Sequence, residues 1–143
     1  MFHPVEGNWN GQAAADMYGG PLLKALRRTW GRKHSYRIVE DGDRKGNQSN
    51  KGISAKHSLK IKALTLPPRS PCWMPLDYAI WDRIIDGMLA GAPSGRETKD
   101  AFIARLQHVA KKLPKGFVAK QIANMKTRVQ GVIDAKGWCP KMD

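Results

Sequence analysis

The sequence is short of acid and short of cysteine, and each shortage excludes something. Twelve Asp and Glu stand against 25 Lys and Arg, a formal net charge of +13, so a cationic partner is disfavoured. Two cysteines, Cys72 and Cys139, cannot make a disulfide framework, and neither has a metal-ligand partner at short spacing. A reducing intracellular setting is the default expectation. No apolar run is long enough to span a bilayer, and no basic segment followed by an apolar stretch opens the chain. Neither a membrane partner nor a signal peptide is therefore expected. His3, His34, His57 and His108 are scattered without ligand spacing, and no internal repeat is present.

What is there suits a folded, polyanion-facing protein. A chain of 143 residues that is 41% hydrophobic can build a real core. Its excess of cations favours DNA as partner, because each neutralised phosphate releases condensed counterions. A solvated basic surface is the plainer reading of the same charge.

Periodicity gives the elements. From Gln12, the residues Ala13, Ala14, Met17 and Tyr18 share a helical face, until Gly19-Gly20-Pro21 interrupts. Pro21 suits the first turn of a second helix carrying Leu22, Leu23, Leu26 and Trp30, which Gly31 to Ser35 closes. Tyr36-Arg37-Ile38-Val39 leans to strand and stops at Glu40-Asp41-Gly42-Asp43. A polar loop, 44–51, precedes a short helix around Ile53 to Leu59. Ile61 to Leu66 reads as a second strand ending at Pro67-Pro68.

Pro75 opens a helix with Ile80, Trp81, Ile84, Ile85 and Leu89 on one side, and there Trp81 is simplest as core. Trp73 and Trp138 fall in loops, filling gaps rather than stacking on bases. Past the Gly91 to Gly95 linker, with Ser94 a possible cap, come two amphipathic helices. One carries Phe102, Leu106, Val109 and Leu113; the other carries Val118, Ile122, Met125, Val129 and Val132. The order α-α-β-α-β-α-α-α points to an α/β layer followed by a helical tail.

Two acids sit where strands and helices meet. Asp41 follows the first strand, Asp77 comes two residues after a helix-opening proline, and 35 residues lie between them. Such an arrangement can gather both at one edge of a sheet. Carboxylates there are the hard oxygen ligands that Mg²⁺ takes, and two such ions assist in-line phosphodiester cleavage. The same residues also make an ordinary turn after a strand and a favourable charge at a helix N-terminus.

At these residues the sequence resembles the mariner-type DDE superfamily of transposases and endonucleases. Tyr36 to Asp43 is similar to the strand carrying the second catalytic Asp. Leu64-Thr65-Leu66-Pro67-Pro68-Arg69-Ser70-Pro71 is similar to the next strand and its Pro-rich exit. Pro75-Leu76-Asp77-Tyr78-Ala79-Ile80-Trp81 is similar to the helix carrying the third acid. Weaker likeness extends through Asn8-Trp9-Asn10-Gly11 to Leu26 and through the helices from Phe102 to Lys136.

The resemblance implies a partial RNase H-like fold over residues 1–92, with a basic helical C-terminal extension over 93–143. It implies Asp41 and Asp77 as catalytic metal ligands for Mg²⁺ or Mn²⁺, with Asp43 competing for the second position. Glu40 points away from Asp41 along a strand and is the poorer ligand. Arg44, Lys45, Arg69, Lys111, Lys112 and Lys115 become candidates for DNA contact, with Lys120, Lys126 and Arg128 on the same tail helices. A nuclear location follows if the host is a eukaryote.

The family places its first acid on an earlier strand. Here only Glu6 and Asp16 precede Tyr36 among the acids, and neither lies in an apolar strand. Gly42 stands where Asn is usual, Arg44 where Pro is usual, and Cys72-Trp73-Met74 where Asp-Leu-Asn is usual. With one ligand missing, the expectation is a chain that does not cleave strands alone. Its first strand is expected to present an open edge through which copies self-associate.

Overall fold

A computed structural model describes residues 3–67 and 70–138 of the chain. The chain divides into two compact units, His3–Pro68 and Arg69–Asp143, each described by itself. The structure is mixed α/β and mostly helical, and among the described residues the sheet has two strands. No described helix is long and apolar enough to cross a membrane.

In the first unit, α1 (Gly11–Met17) runs into α2 (Leu23–Trp30) through one wide turn, Tyr18–Leu22. The expected interruption at Gly19-Gly20-Pro21 is thus not a break. Pro21 has no N–H to give the α-helical ladder, and the wider turn absorbs it: the Leu23 N–H reaches back five residues to the Tyr18 carbonyl. Asn10 caps α1, accepting from the Gln12 and Ala13 N–H groups at 2.9 and 3.0 Å. Gly31, with φ 70°, ends α2 in a conformation a side chain would strain.

Strand β1 (Tyr36–Glu40) pairs in parallel with β2 (Ile61–Thr65), joined by α3 (Asn50–Ser58). The register sets Tyr36 against Ile61 and Val39 against Leu64. Alternation makes the sheet one-sided. Tyr36, Glu40 and Ile61 are buried under the helices, whereas Arg37, Val39, Lys62 and Leu64 are exposed on the other face. The core gathers Ala14, Tyr18, Leu23, Leu26, Tyr36 and Ile61, with Trp9, Met17 and Ile38 packed against it. Trp30, expected on the apolar face of α2, is 59% exposed, because that face ends one turn earlier at Leu26.

The second unit starts with a short 3₁₀ turn, Pro71–Trp73, and a wide turn, Leu76–Ile80, that leads into α4 (Trp81–Ala90). Helices α5 (Lys99–Lys111) and α6 (Lys115–Asp134) follow. Thr98 caps α5 through its hydroxyl, the place sequence reading gave to Ser94. Ile80 and Ile84 are buried, but Trp81 is 39% exposed and Ile85 51% exposed. Trp81, Ile85 and Leu89 repeat at four residues along one side of the stripe that stays uncovered, whereas Ile80 and Ile84 lie on the side that is packed. Gly87 lets α4 and α5 approach, since a Cβ there would meet Val109 Cγ1 at 2.6 Å. Arg105 clasps both Glu97 carboxylate oxygens, at 2.9 and 2.6 Å, and also donates to the Met88 carbonyl.

Helix α3 passes so close to the loop before it that Gly52 has no room for a side chain. A Cβ there would strike the Gly46 carbonyl and lie 3.0 Å from that of Asn47. Both obstacles are backbone. Gly52→Ala is expected to destabilise the first unit by about 1–3 kcal/mol despite alanine's better helix propensity. Urea unfolding followed by circular dichroism measures this, and an unchanged or raised midpoint would contradict the packing.

Candidate functional site

The loop from Asp41 to Ser49 leaves the carboxyl end of β1 and carries the acids singled out in the sequence. Asp43 is its staple. Its carboxylate accepts from Trp9 Nε1 at 2.7 Å and from the Gly46, Lys45 and Asn47 N–H groups at 2.6, 3.3 and 3.4 Å. Partial burial pushes the Asp43 carboxyl up, but the hydrogen bonds from Gly46, Trp9, Lys45 and Asn47 outweigh it and hold it below the usual range. Trp9 could not be read from sequence as a partner, because 34 residues separate it from Asp43.

Asp41 is exposed, and its carboxylate accepts from its neighbour's N–H, Gly42, at 2.7 Å. Its backbone carbonyl accepts from Asn47 Nδ2 at 3.1 Å. Of the two acids in the loop, Asp43 is committed to backbone donors and Asp41 is the one open to solvent. Asp77 lies exposed in the first turn of the Leu76–Ile80 segment, where its N–H donates to the Met74 carbonyl at 2.9 Å. Asp41 and Asp77 therefore belong to different units. Among the described residues, no group of three or more His, Cys, Asp or Glu converges.

Glu40 takes the side opposite Asp41, as strand alternation requires, and enters a buried polar cluster. Its carboxylate contacts the Lys56 ammonium and accepts from the Tyr18 hydroxyl at 2.6 Å. Tyr18 Oη also lies 3.1 Å from Asn47 Oδ1, and Lys56 Nζ donates to the Asn47 carbonyl at 3.0 Å while sitting 5.2 Å from the centroid of the Tyr18 ring. Burial, then the bond to Glu40, drives the Tyr18 hydroxyl far above its ordinary range, so it keeps its proton. Asn47 thus links this cluster to the backbone of Asp41. Sequence reading placed Tyr18 on a helical face but gave neither it nor Asn47 nor Lys56 a polar role. The available signal was Lys56 four residues after Gly52, both on the inward face of α3.

Compared with known proteins, the chain matches no family model and no curated protein.

The remaining candidates are cations. Arg44 and Lys45 are exposed on the Asp41 loop, and Lys111, Lys112 and Lys115 are exposed around the α5–α6 junction. Arg128 is engaged elsewhere, 3.8 Å from the ring centroid of Tyr78, whose hydroxyl donates to the Gln121 carbonyl. Arg69 lies outside the described residues. Trp73 keeps its Nε1 buried with no hydrogen-bond partner, while Trp138 is 80% exposed.

Lys56→Met leaves the Glu40 carboxylate buried without its counter-charge, at an expected cost of roughly 3–5 kcal/mol. The double variant Glu40→Leu with Lys56→Met is expected to recover a large part of that loss. A double-mutant cycle by denaturant unfolding checks this, and additive losses would mean the two charges do not act together.

Asp43 carries a pH signature. A carboxyl held low in the folded chain stabilises above its unfolded value, about 3.9, and that stability is lost as pH falls through the folded value. Asp43→Asn should remove this contribution, so its melting temperature should fall less steeply than the native one below about pH 4. Parallel curves for the two proteins would contradict the staple.

Proposed function

We propose that the chain derives from a mariner-type DDE-superfamily nuclease, with a partial RNase H-like fold in its strand-bearing part. In this reading it binds DNA and contributes two of the metal-holding acids, Asp41 and Asp77, without cutting strands by itself. One observation carries it: a parallel β-α-β unit has an acid just past its first strand, and the helix that follows its second strand starts with another. That is the order in which the resembling motifs place these residues. The solvent-open carboxylate of Asp41 and the commitment of Asp43 to its own loop favour Asp41 as the ligand.

The donor set falls short of what a two-ion site needs. Mg²⁺ or Mn²⁺, where bound, would supply charge neutralisation for phosphodiester cleavage, and two carboxylates give it weak purchase. No cleavage step is assigned to this chain alone. What its own residues do is present cations to phosphate, with Arg44 and Lys45 beside Asp41 and Lys111, Lys112 and Lys115 on the helical extension. A basic DNA-binding module without any metal role is the second reading, favoured by the net charge of +13.

Three measurements separate these outcomes. Affinity for DNA is expected to fall steeply with salt. Supercoiled plasmid with Mg²⁺ or Mn²⁺ should stay uncut; nicking abolished by Asp77→Ala would overturn the inactivity. Mn²⁺ should broaden the amide resonances of Asp41 and Asp77 at millimolar concentration, and Asp41→Asn or Asp77→Asn should weaken that effect. Broadening indifferent to both substitutions, with DNA affinity intact, would leave the plain DNA-binding module.

A further inference from the structure

The amino ends of the two strands, away from the Asp41 loop, frame a recess of about 400 Å³ within the first unit. That size is within the range of small-ligand pockets. Its lining carries Arg27, Arg32, Lys33, His34 and Lys60, and no carboxylate. Leu23 and Tyr36, 7% and 6% exposed, supply buried wall behind these exposed heads. A concave site of one charge sign, backed by low-dielectric wall, concentrates its field on an ion of the opposite sign.

The cations are held ready but not used. Tyr36 pins the loop that bears Arg32, Lys33 and His34: its hydroxyl donates to the Gly31 carbonyl at 2.5 Å and accepts from the Lys33 N–H at 3.2 Å. Helices α2 and α3 both end here, and C-terminal carbonyls attract cations. Other donors already occupy several of those carbonyls, however. Ala55 O accepts from the Leu59 N–H and from Ser58 Oγ, and His57 O accepts from the Lys60 N–H. Among the described residues, none of the Arg27, Arg32, Lys33 and Lys60 side chains joins an ion pair or donates a hydrogen bond. Four like charges gathered without a counter-charge repel one another, and a multiply charged anion relieves this best.

We infer that this recess binds a run of two or more phosphate groups, either the backbone of a nucleic acid or a free oligophosphate. Arg27 and Arg32 supply planar forks that suit phosphate oxygens, and Lys33 and Lys60 supply point charges. The inference stands on shape and charge in this unit and does not require the proposed nuclease ancestry.

The test compares two triple variants of the whole chain with equal loss of charge. One is Arg27→Gln, Arg32→Gln and Lys33→Gln in the recess; the other is Lys24→Gln, Arg28→Gln and Lys62→Gln outside it. All six positions are exposed. Circular dichroism verifies folding, and if the recess triple fails to fold, Arg32→Gln against Arg28→Gln replaces the pair. Tripolyphosphate titrated by calorimetry at low salt should bind the native chain. The recess triple should lose about tenfold or more in affinity and the outer triple less than about threefold. Equal losses, or no tripolyphosphate binding by the native chain, would overturn the inference.

A second arm identifies the source of the phosphates through the salt dependence of binding to a short DNA duplex. If the recess triple lowers the slope by roughly 0.9 per lost contact, and tripolyphosphate competes, the ligand is nucleic-acid backbone. An unchanged slope with the tripolyphosphate loss intact assigns a free oligophosphate.

Discussion

Two opposite charges withdrawn from water together impose conditions on everything around them, and the first unit is organised by those conditions. Glu40 and Lys56 are each 8% exposed. Taking such charges out of water costs several kcal/mol per ion unless close pairing and extra hydrogen bonds offset it. The offsets arrive from three elements. The wide turn after α1 brings Tyr18, the loop brings Asn47, and α3 brings the ammonium itself. Each of those elements must hold its place for the pair to be tolerated, so the cluster fixes positions as well as contributing energy. Its reach extends to Asp41, whose carbonyl Asn47 holds. Gly52 belongs to the same demand: only a residue without a side chain lets α3 lie close enough to the loop for Lys56 to reach Glu40.

The element order was legible from periodicity because short strands and helices here keep clean patterns between Gly and Pro stops. Strand alternation also predicted that Glu40 and Asp41 part company. The misreadings have more than one physical origin. Two wide turns, Tyr18–Leu22 and Leu76–Ile80, each insert extra rotation into a helical run. A wide turn keeps the chain helical across a proline, which is why Gly19-Gly20-Pro21 looked like a break; Trp81 looked like core because it shares the apolar stripe of α4, of which only the side with Ile80 and Ile84 is covered. Long-range staples were illegible for a different reason. The bond from Trp9 to Asp43 depends on where α1 packs, and no local pattern encodes it.

The second unit keeps itself together by other means. Few of its described apolar residues are buried: Cys72, Ile80, Ile84 and Val132 are, whereas Leu89, Phe102, Ile122 and Ile133 are exposed. Directional contacts compensate. Arg105 joins the end of α4 to the segment before α5, and Tyr78 receives α6 through its hydroxyl and through the Arg128 guanidinium over its ring. Fork geometry and ring-face contacts specify position without a deep core. A sequence stripe of valines and isoleucines on α6 therefore overstated its burial, because stripe width says which side is apolar and not whether another element covers it.

Charge is sorted along the strands of the first unit, and this sorting makes the two ends chemically different. The carboxyl end of β1 carries Glu40, Asp41 and Asp43 together with the cations Arg44, Lys45 and Lys56, whereas the amino ends of both strands face Arg27, Arg32, Lys33 and Lys60, with no carboxylate lining the recess there. Parallel strands make that possible, because both start at one edge and both finish at the other. An antiparallel pair would have mixed the two populations. Charge is mixed at one end and of one sign at the other, so the field that favours an anion is concentrated at the amino ends. The net charge of +13 therefore describes the chain poorly. An evenly basic surface would hold a polyanion by total charge alone, as the outer-triple comparison would reveal. A sorted one adds a defined place, the recess at the amino ends of the strands, where no carboxylate opposes the phosphates.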